Sequence, residues 1–348
     1  MKNWTVRMMF VVLFALTVCM SNSNANANTN QPQVYKLIFS SVMHESEFTS
    51  HPAATALASF VKNVQEKSGG RIVITLYKGG QLSDNTENDV QGLAGGAFHF
   101  ANPALASLGS YTNAFIPFNM LYMFANQDAA DRFIDSEIAN RMRQKALKDM
   151  GIRTLAFLDV GFRNLTTSTR EIRRPEDIKG LKIRTMEDPF QIKAFQAMGA
   201  SPTPMAYSEL FSALQQGVID GQENPMSNII QAKLYEVQKY MTLTRHSFTI
   251  NTIVMAESAF QKLPADLQQL ILDEARAAEL MSRANCAQKE ASLLEDCKKV
   301  LQVYEPTLEE LHMFQDAARA SWEQAKATMG EDDYNAMLKT VESINSQL

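Results

Sequence analysis

VYKLIFSSVMHESEFTSHPAATALASFVKNVQEKSGGRIVITLY, residues 34–77, reads as one complete strand–helix–strand unit. Residues 34–42 alternate at first and then turn small, as a buried strand does when it ends in a binding crevice. Residues 52–67 carry helical spacing at Leu57, Phe60, Val61 and Val64, with Pro52 placed at the helix start. Gly69-Gly70 stops the helix. Residues 71–77 are β-branched and bounded by Gly79-Gly80, which predicts a strand.

The alternation continues outward from this unit. Helices are expected at 84–94 and, as one long element, at 128–149, with a strand at 152–159. The pattern then restarts with a strand at 181–184 and helices at 189–198, 208–216 and 225–234. Residues 236–256 look extended. From Pro264 to Leu348 the chain reads as helical, with one short strand near 300–304. Alternating strands and helices imply an α/β protein with mostly parallel sheets. The strands fall into two groups with no flexible linker between them, which predicts two lobes tied by crossing segments. The expected division is 34–160 plus about 250–289 for lobe I, and 161–249 plus about 290–348 for lobe II.

The chain has 348 residues, 45% of them hydrophobic, enough for a sizeable core in two lobes. Its net charge of −5, with no Lys/Arg run, gives no electrostatic footprint for nucleic acid. Lys2 and Arg7 precede a short apolar run, Met8–Met20, and Ala25-Asn26-Ala27 follows. A basic start, a short apolar core and an A-x-A site make a signal peptide over 1–27. Export to the periplasm is therefore expected, with 28–33 a disordered stretch before the first strand. Cleavage removes Cys19 and leaves Cys286 and Cys297. Eleven residues apart on one helix, they would lie about 16 Å from each other along the axis, too far for a disulfide.

The usual signatures of catalysis and cofactor binding are missing. There is no G-x-G-x-x-G, no Walker lysine loop and no G-x-S-x-G elbow. His44-Glu45 begins an H-E-x-x-H pattern, but Phe48 stands where the second His belongs. No enzyme activity, cofactor or metal is expected.

Residues 159–225 carry the functional signal. Arg163 follows the strand expected at 152–159, and Arg184 ends the next one. Ligands of open α/β sheets sit outside the carboxyl ends of the strands, and arginine's planar fork holds a carboxylate through two hydrogen bonds. Two readings stand at this point: an anion site, or two arginines each paired with a nearby Glu or Asp.

GFR (161–163), PEDIKGLKIR (175–184) and YSELFSALQQGVIDGQENP (207–225) resemble the solute-binding proteins of tripartite ATP-independent periplasmic (TRAP) transporters, the DctP-type family. GGQLSDNTENDVQGLAGGAFHFAN (79–102) and IPFNMLYMF (116–124) agree with it, so the resemblance spans about 34–340. It implies a two-lobed periplasmic binding protein with crossing strands, a long lobe-spanning helix and C-terminal helices. It implies an organic acid bound between closing lobes, delivery to TRAP membrane subunits, and a monomer. The family's principal carboxylate arginine falls on Arg184, its assisting arginine on Arg163, and the asparagine of its E-N-P motif on Asn224. Its first-lobe Glu falls on Glu87, although Ser83-Asp84-Asn85-Thr86 departs from the family pattern there. Tyr207, Phe118 and Phe190 are candidate pocket walls; His44, Glu45, Asn102 and Asn164 are further polar candidates. Gly217, Asp220 and Gly221 read as a turn. A carboxylate at Glu87 would repel a second ligand carboxylate and accept from hydroxyls. That favours a uronate or aldonate over a C4-dicarboxylate or another acid. A partner of a membrane sensor would bind the same ligand.

Overall fold

The computed structural model describes residues 33–347. The signal peptide expected over 1–27 lies outside the described residues, as does all but Gln33 of the stretch 28–33. Among the described residues ten strands make one mixed sheet: β1 (Tyr35–Ser40), β2 (Ile72–Tyr77), β3 (Phe100–Ala101), β4 (Ile152–Thr167), β5 (Lys182–Thr185), β6 (Ser201–Pro204), β7 (Gly221–Pro225), β8 (Tyr240–Thr242), β9 (Phe248–Ala256) and β10 (Gln302–Tyr304). The order is β2-β1-β3-β9-β4-β7-β5-β6, with β8 pairing both β4 and β10.

The expected parallel units are present at both ends of this order. β1 pairs β2 and β3 in parallel, and β5 pairs β6 and β7 in parallel. The middle is antiparallel, a departure from the mostly parallel expectation. β4 runs beside β9 from Ile152 to Phe162, then pairs β7 and β8 from Arg163 to Thr167. β4 and β9 are thus the crossing strands, and the fold is the two-lobed α/β architecture the resemblance implies. β4 is also twice the length expected. The register slips between Asp159 and Gly161, and Gly161 has φ of +125°. A glycine bulge of this kind reads like a strand end but only re-aims the strand.

The first helix spans Pro52–Lys67 as expected. The His51 ring caps it by accepting the Ala54 amide, and Gly69 and Gly70, at φ of +64° and +79°, turn the chain out of it. Leu57, Phe60 and Val64 pack with Ile271 and Ala275 against one sheet face, at Phe39, Phe100 and Leu158. Phe157, next in line on β4, points to the opposite face, into a cluster with Phe115, Phe118 and Phe133.

The helix expected over 128–149 is two helices, Gln127–Ile134 and Glu137–Met150. Ser136 interrupts them because its hydroxyl accepts the Ala139 amide and so starts a new helix. Helix Ala265–Val300 is unbroken over 36 residues, about 54 Å. It packs on helix Pro52–Lys67 near one end and on helix Met226–Gln231 and β10 toward the other. Its Glu279 and Ser282 side chains accept the Phe157 and Asp159 amides of β4 at 2.8 and 3.0 Å. Cys286 and Cys297 are buried free thiols on this one rod. Helix Ala320–Met329 packs on helix Pro189–Ala197, but helix Glu331–Asn345 packs on Gln127–Ile134, placing Tyr334, Met337 and Val341 in one cluster with Phe133. The end of the chain therefore does not keep to lobe II, as the 290–348 assignment expected; its apolar stripe is covered by first-half residues. No helix among the described residues is long and apolar enough to cross a membrane.

Candidate carboxylate site

The carboxyl ends of the parallel strands converge on one cavity of about 90 Å³. Val42 and Met43 follow β1, Asn102 follows β3, Met186 follows β5, and Met205 follows β6. The crossing strands add Arg163 from β4 and Thr249 and Asn251 from β9, and β7 adds Asn224. This is the crevice that open α/β sheets offer.

The two arginines divide the two readings left open above. Arg163 is buried and already paired. Its Nε and Nη2 hold the Glu223 carboxylate, with Nη2 to Oε1 at 2.7 Å, and its Nη1 donates to Thr249 Oγ1 at 2.9 Å. Nη2 also donates to the Glu223 carbonyl. Burial alone would raise the Glu223 pKa, but the Arg163 charge and the hydrogen bonds from His246 and Arg163 outweigh it and hold it at about 2. His246 Nε2 lies 2.9 Å from Glu223 Oε2, and its Nδ1 lies 2.8 Å from the Thr244 hydroxyl. Burial lowers the His246 pKa, so the neutral ring is the form that bridges them.

Arg184 is equally buried, at 3% exposure, and differs in one respect. Its Nε and Nη2 both donate to the Met205 carbonyl, at 3.1 and 2.7 Å. That bond fixes the plane of the fork without neutralising it. Among the described residues no carboxylate forms a salt bridge with Arg184. Burial, followed by the charge of Arg163, lowers its pKa to about 10. A buried cation without an anion is the condition that an external carboxylate would relieve.

Other polar groups in the wall await partners. Asn102 is 2% exposed, and neither its Nδ2 nor its Oδ1 has a hydrogen bond. The Tyr207 hydroxyl is buried too, and burial pushes its pKa well above the usual tyrosine range. Asn224 is oriented by its own strand, Nδ2 donating to Gln222 Oε1 at 2.5 Å. Glu47 and His51 stand in the wall supplied by the first half. Glu47 accepts the His44 amide at 2.7 Å, and burial raises its pKa. Burial lowers the His51 pKa to about 4, so its ring is neutral at pH 7, with Nε2 3.2 Å from Asn228 Oδ1.

Of the residues singled out in the sequence, Arg184, Arg163, Asn224 and Tyr207 line this cavity, and so does Asn102. Glu87 does not. It lies on the exposed side of helix Thr86–Gly95, where Gln91 donates to it at 3.0 Å. The intervening Asp84, Asn85 and Thr86 occupy the wall in its stead. His44 faces a neighbouring cavity. Asn164 alternates with Arg163 on β4 and its side chain turns away, bonding the Phe162 carbonyl at 3.1 Å and the Arg245 amide at 3.3 Å. Glu45 pairs with Lys78 near the surface. Phe118 and Phe190 are core. Gly217 does end a helix at φ of +68°, but Gly221 opens β7. Glu47, His51, Asp84 and Thr249 had no signal in the sequence as wall residues; the His-Pro pair at 51–52 marked only a helix start.

Residues 43–328 match the model of the family described as bacterial extracellular solute-binding protein, family 7. A solute-binding protein of Verminephrobacter eiseniae is 35% identical over 247 residues, covering 70% of this chain and 72% of the relative. The sugar acid binding protein of Advenella mimigardefordensis, solved with galactonate, superposes with a TM-score of 0.84 at 28% identity, over 90% of this chain and 99% of that one. A TRAP periplasmic solute-binding protein of Sulfurospirillum deleyianum with bound succinate gives 0.82 at 28% identity, over 90% and 99%. The chain thus belongs to family 7 of the bacterial extracellular solute-binding proteins, the DctP-type solute receptors of TRAP transporters.

Proposed function

We propose that this chain binds a polyhydroxylated monocarboxylate, a uronate or aldonate, in the cavity around Arg184 and delivers it to TRAP membrane subunits after export to the periplasm. Family membership supports organic-acid binding as the general activity. The observation that carries the finer reading is the polarity of the cavity. An unneutralised Arg184 and the buried Glu47 both line it. Glu87 gave the original ground for preferring a hydroxylated acid, and its exposure removes that ground. Glu47, buried in the wall, restores it by the same argument. A second ligand carboxylate would meet like charge, and among the described residues lining the cavity the other arginine is taken by Glu223 and His51 is neutral. Hydroxyls are both donors and acceptors, which suits the unpartnered amide of Asn102. The galactonate-bound relative supports this reading, and the succinate-bound one supports a dicarboxylate.

The test is a thermal-shift series on the ligand-free mature chain, with each sugar acid beside its neutral counterpart, glucuronate with glucose and galactonate with galactose, and with succinate and malate as the dicarboxylate arm. A ligand at a hundred times its Kd adds about 2.7 kcal/mol, a rise of roughly five degrees for a chain of this size. A sugar acid that shifts the transition when its neutral sugar does not supports the clamp. A larger shift with succinate overturns the sugar-acid assignment, and no shift with any acid overturns carboxylate binding here.

A further inference from the structure

A second and larger cavity, about 400 Å³, lies against the first. The two share Val42, Glu47, Asp84 and Tyr207, so one wall is common to both. The outer cavity is lined from both ends of the sheet, by His44 and Gly79 on one side and by Ser208, Phe211, Gln231 and Lys233 on the other. Contacts between the two ends already exist around it. Ser208 Oγ donates to the Asp84 carbonyl at 3.2 Å, Gln231 Nε2 to the Ser50 hydroxyl, and His51 meets Asn228.

The local backbone is also specialised. Lys233 sits at φ of +53°, a conformation that non-glycine residues seldom adopt and that gathers at functional sites. Gly79, at φ of +63°, lets the chain pass so close to His44 that a Cβ would lie 3.2 Å from its Nδ1.

We infer that the outer cavity is a subsite for a second, uncharged sugar ring, so that the chain accepts acids of disaccharide length, with the carboxylate at Arg184 and the glycosidic extension passing Tyr207. This rests on the carboxylate reading proposed above. The chemistry of the lining selects such a ring. The Ser208 hydroxyl and the Gln231 amide oxygen can accept from sugar hydroxyls, and the half-buried Phe211 ring suits the apolar face of a pyranose. A cavity serving only as an entrance needs no such lining.

Titration calorimetry of the mature chain with gluconate, galactonate, lactobionate and cellobionate tests this. Lactobionate and cellobionate are gluconate carrying one further neutral ring. The expected result is a disaccharide acid that binds about tenfold more tightly than the better monosaccharide acid. Phe211→Ala should abolish that gain and leave monosaccharide-acid affinity in place. Lys233→Ala, at an exposed position, is the companion variant should Phe211→Ala fail to fold, and it should reduce the gain alone. Binding of a monosaccharide acid without either disaccharide acid overturns the subsite and leaves the carboxylate reading intact. So does a disaccharide acid that gains nothing and ignores both substitutions. Binding of neither class, with no acid in the thermal series active, refutes the carboxylate reading and the subsite with it.

Discussion

Replacing Arg184 and Arg163 separately by Met should move stability in opposite directions. Methionine preserves the length and apolar stem of the side chain and deletes the charge. In the ligand-free chain the Arg184 guanidinium is a buried cation with no carboxylate partner. The fall of its pKa from 12.5 to about 10 corresponds to about 3 kcal/mol against the charged form. Loss of the bonds to the Met205 carbonyl returns about 1 kcal/mol of that. Arg184→Met should therefore leave the ligand-free protein as stable as before, or more stable by about 2 kcal/mol. Arg163 is the reverse case. Its removal leaves the Glu223 carboxylate buried at 0% exposure with no cation, a change that costs about 3–5 kcal/mol.

Calorimetric or dye-based melting of the two variants, with and without the acid identified in the thermal series, reads both effects. Arg184→Met should melt at or a few degrees above the parent and lose the ligand-induced shift. A buried charge-assisted contact is worth about 2–5 kcal/mol, so its Kd should rise by about two to three orders of magnitude. Arg163→Met should melt about five to nine degrees lower. If Arg184→Met is destabilised as much as Arg163→Met, or keeps its ligand-induced shift, the assignment of Arg184 as the unpaired ligand cation is wrong.

Two further substitutions probe the wall and its support. Glu47→Gln removes a buried carboxylate from the wall; relief of like-charge repulsion should improve succinate relative to gluconate by about tenfold in paired titrations, and an unchanged ratio would show that Glu47 does not face the ligand. Asp188 caps helix Pro189–Ala197 by accepting the Gln191 amide at 2.7 Å, and burial raises its pKa to about 7. A carboxyl with a raised folded pKa contributes stability that is complete below its unfolded pKa near 3.8 and is lost as pH rises through about 7. Asp188→Asn keeps a good cap, so it should melt like the parent at pH 4 and higher than the parent at pH 8. Parallel melting curves across that range would contradict the burial argument.

The parts of this fold that were legible in the sequence are those written in local chemistry. Pro52 and Gly69-Gly70 bracket the first helix at its observed ends, and the spacing of Leu57, Phe60 and Val64 names the face it buries. The K-I-R and E-N-P motifs put Arg184 and Asn224 on β5 and β7, where strand pairing brings them to one cavity. The errors share a different cause. The Gly161 bulge hides the continuity of β4 because a glycine reads alike as a bulge and as a strand end. Glu87 missed the cavity because Asn85 caps the helix there: the residues around the cap reach the cavity wall, and Glu87 faces solvent.

Arg163 is the more instructive case. Its sequence context is that of a ligand contact, yet the residue that occupies its fork is Glu223, sixty positions away on a strand that only the fold places opposite it. Spacing along a chain reports which residues share an element; it does not report which charge is already spent. That difference governs function here. With Glu223 holding Arg163, the arginine pair and its acid contribute one net positive charge to the cavity, carried by the one guanidinium that only a carbonyl restrains. A single positive charge in a cavity that also holds the buried Glu47 favours a ligand with one carboxylate over a ligand with two.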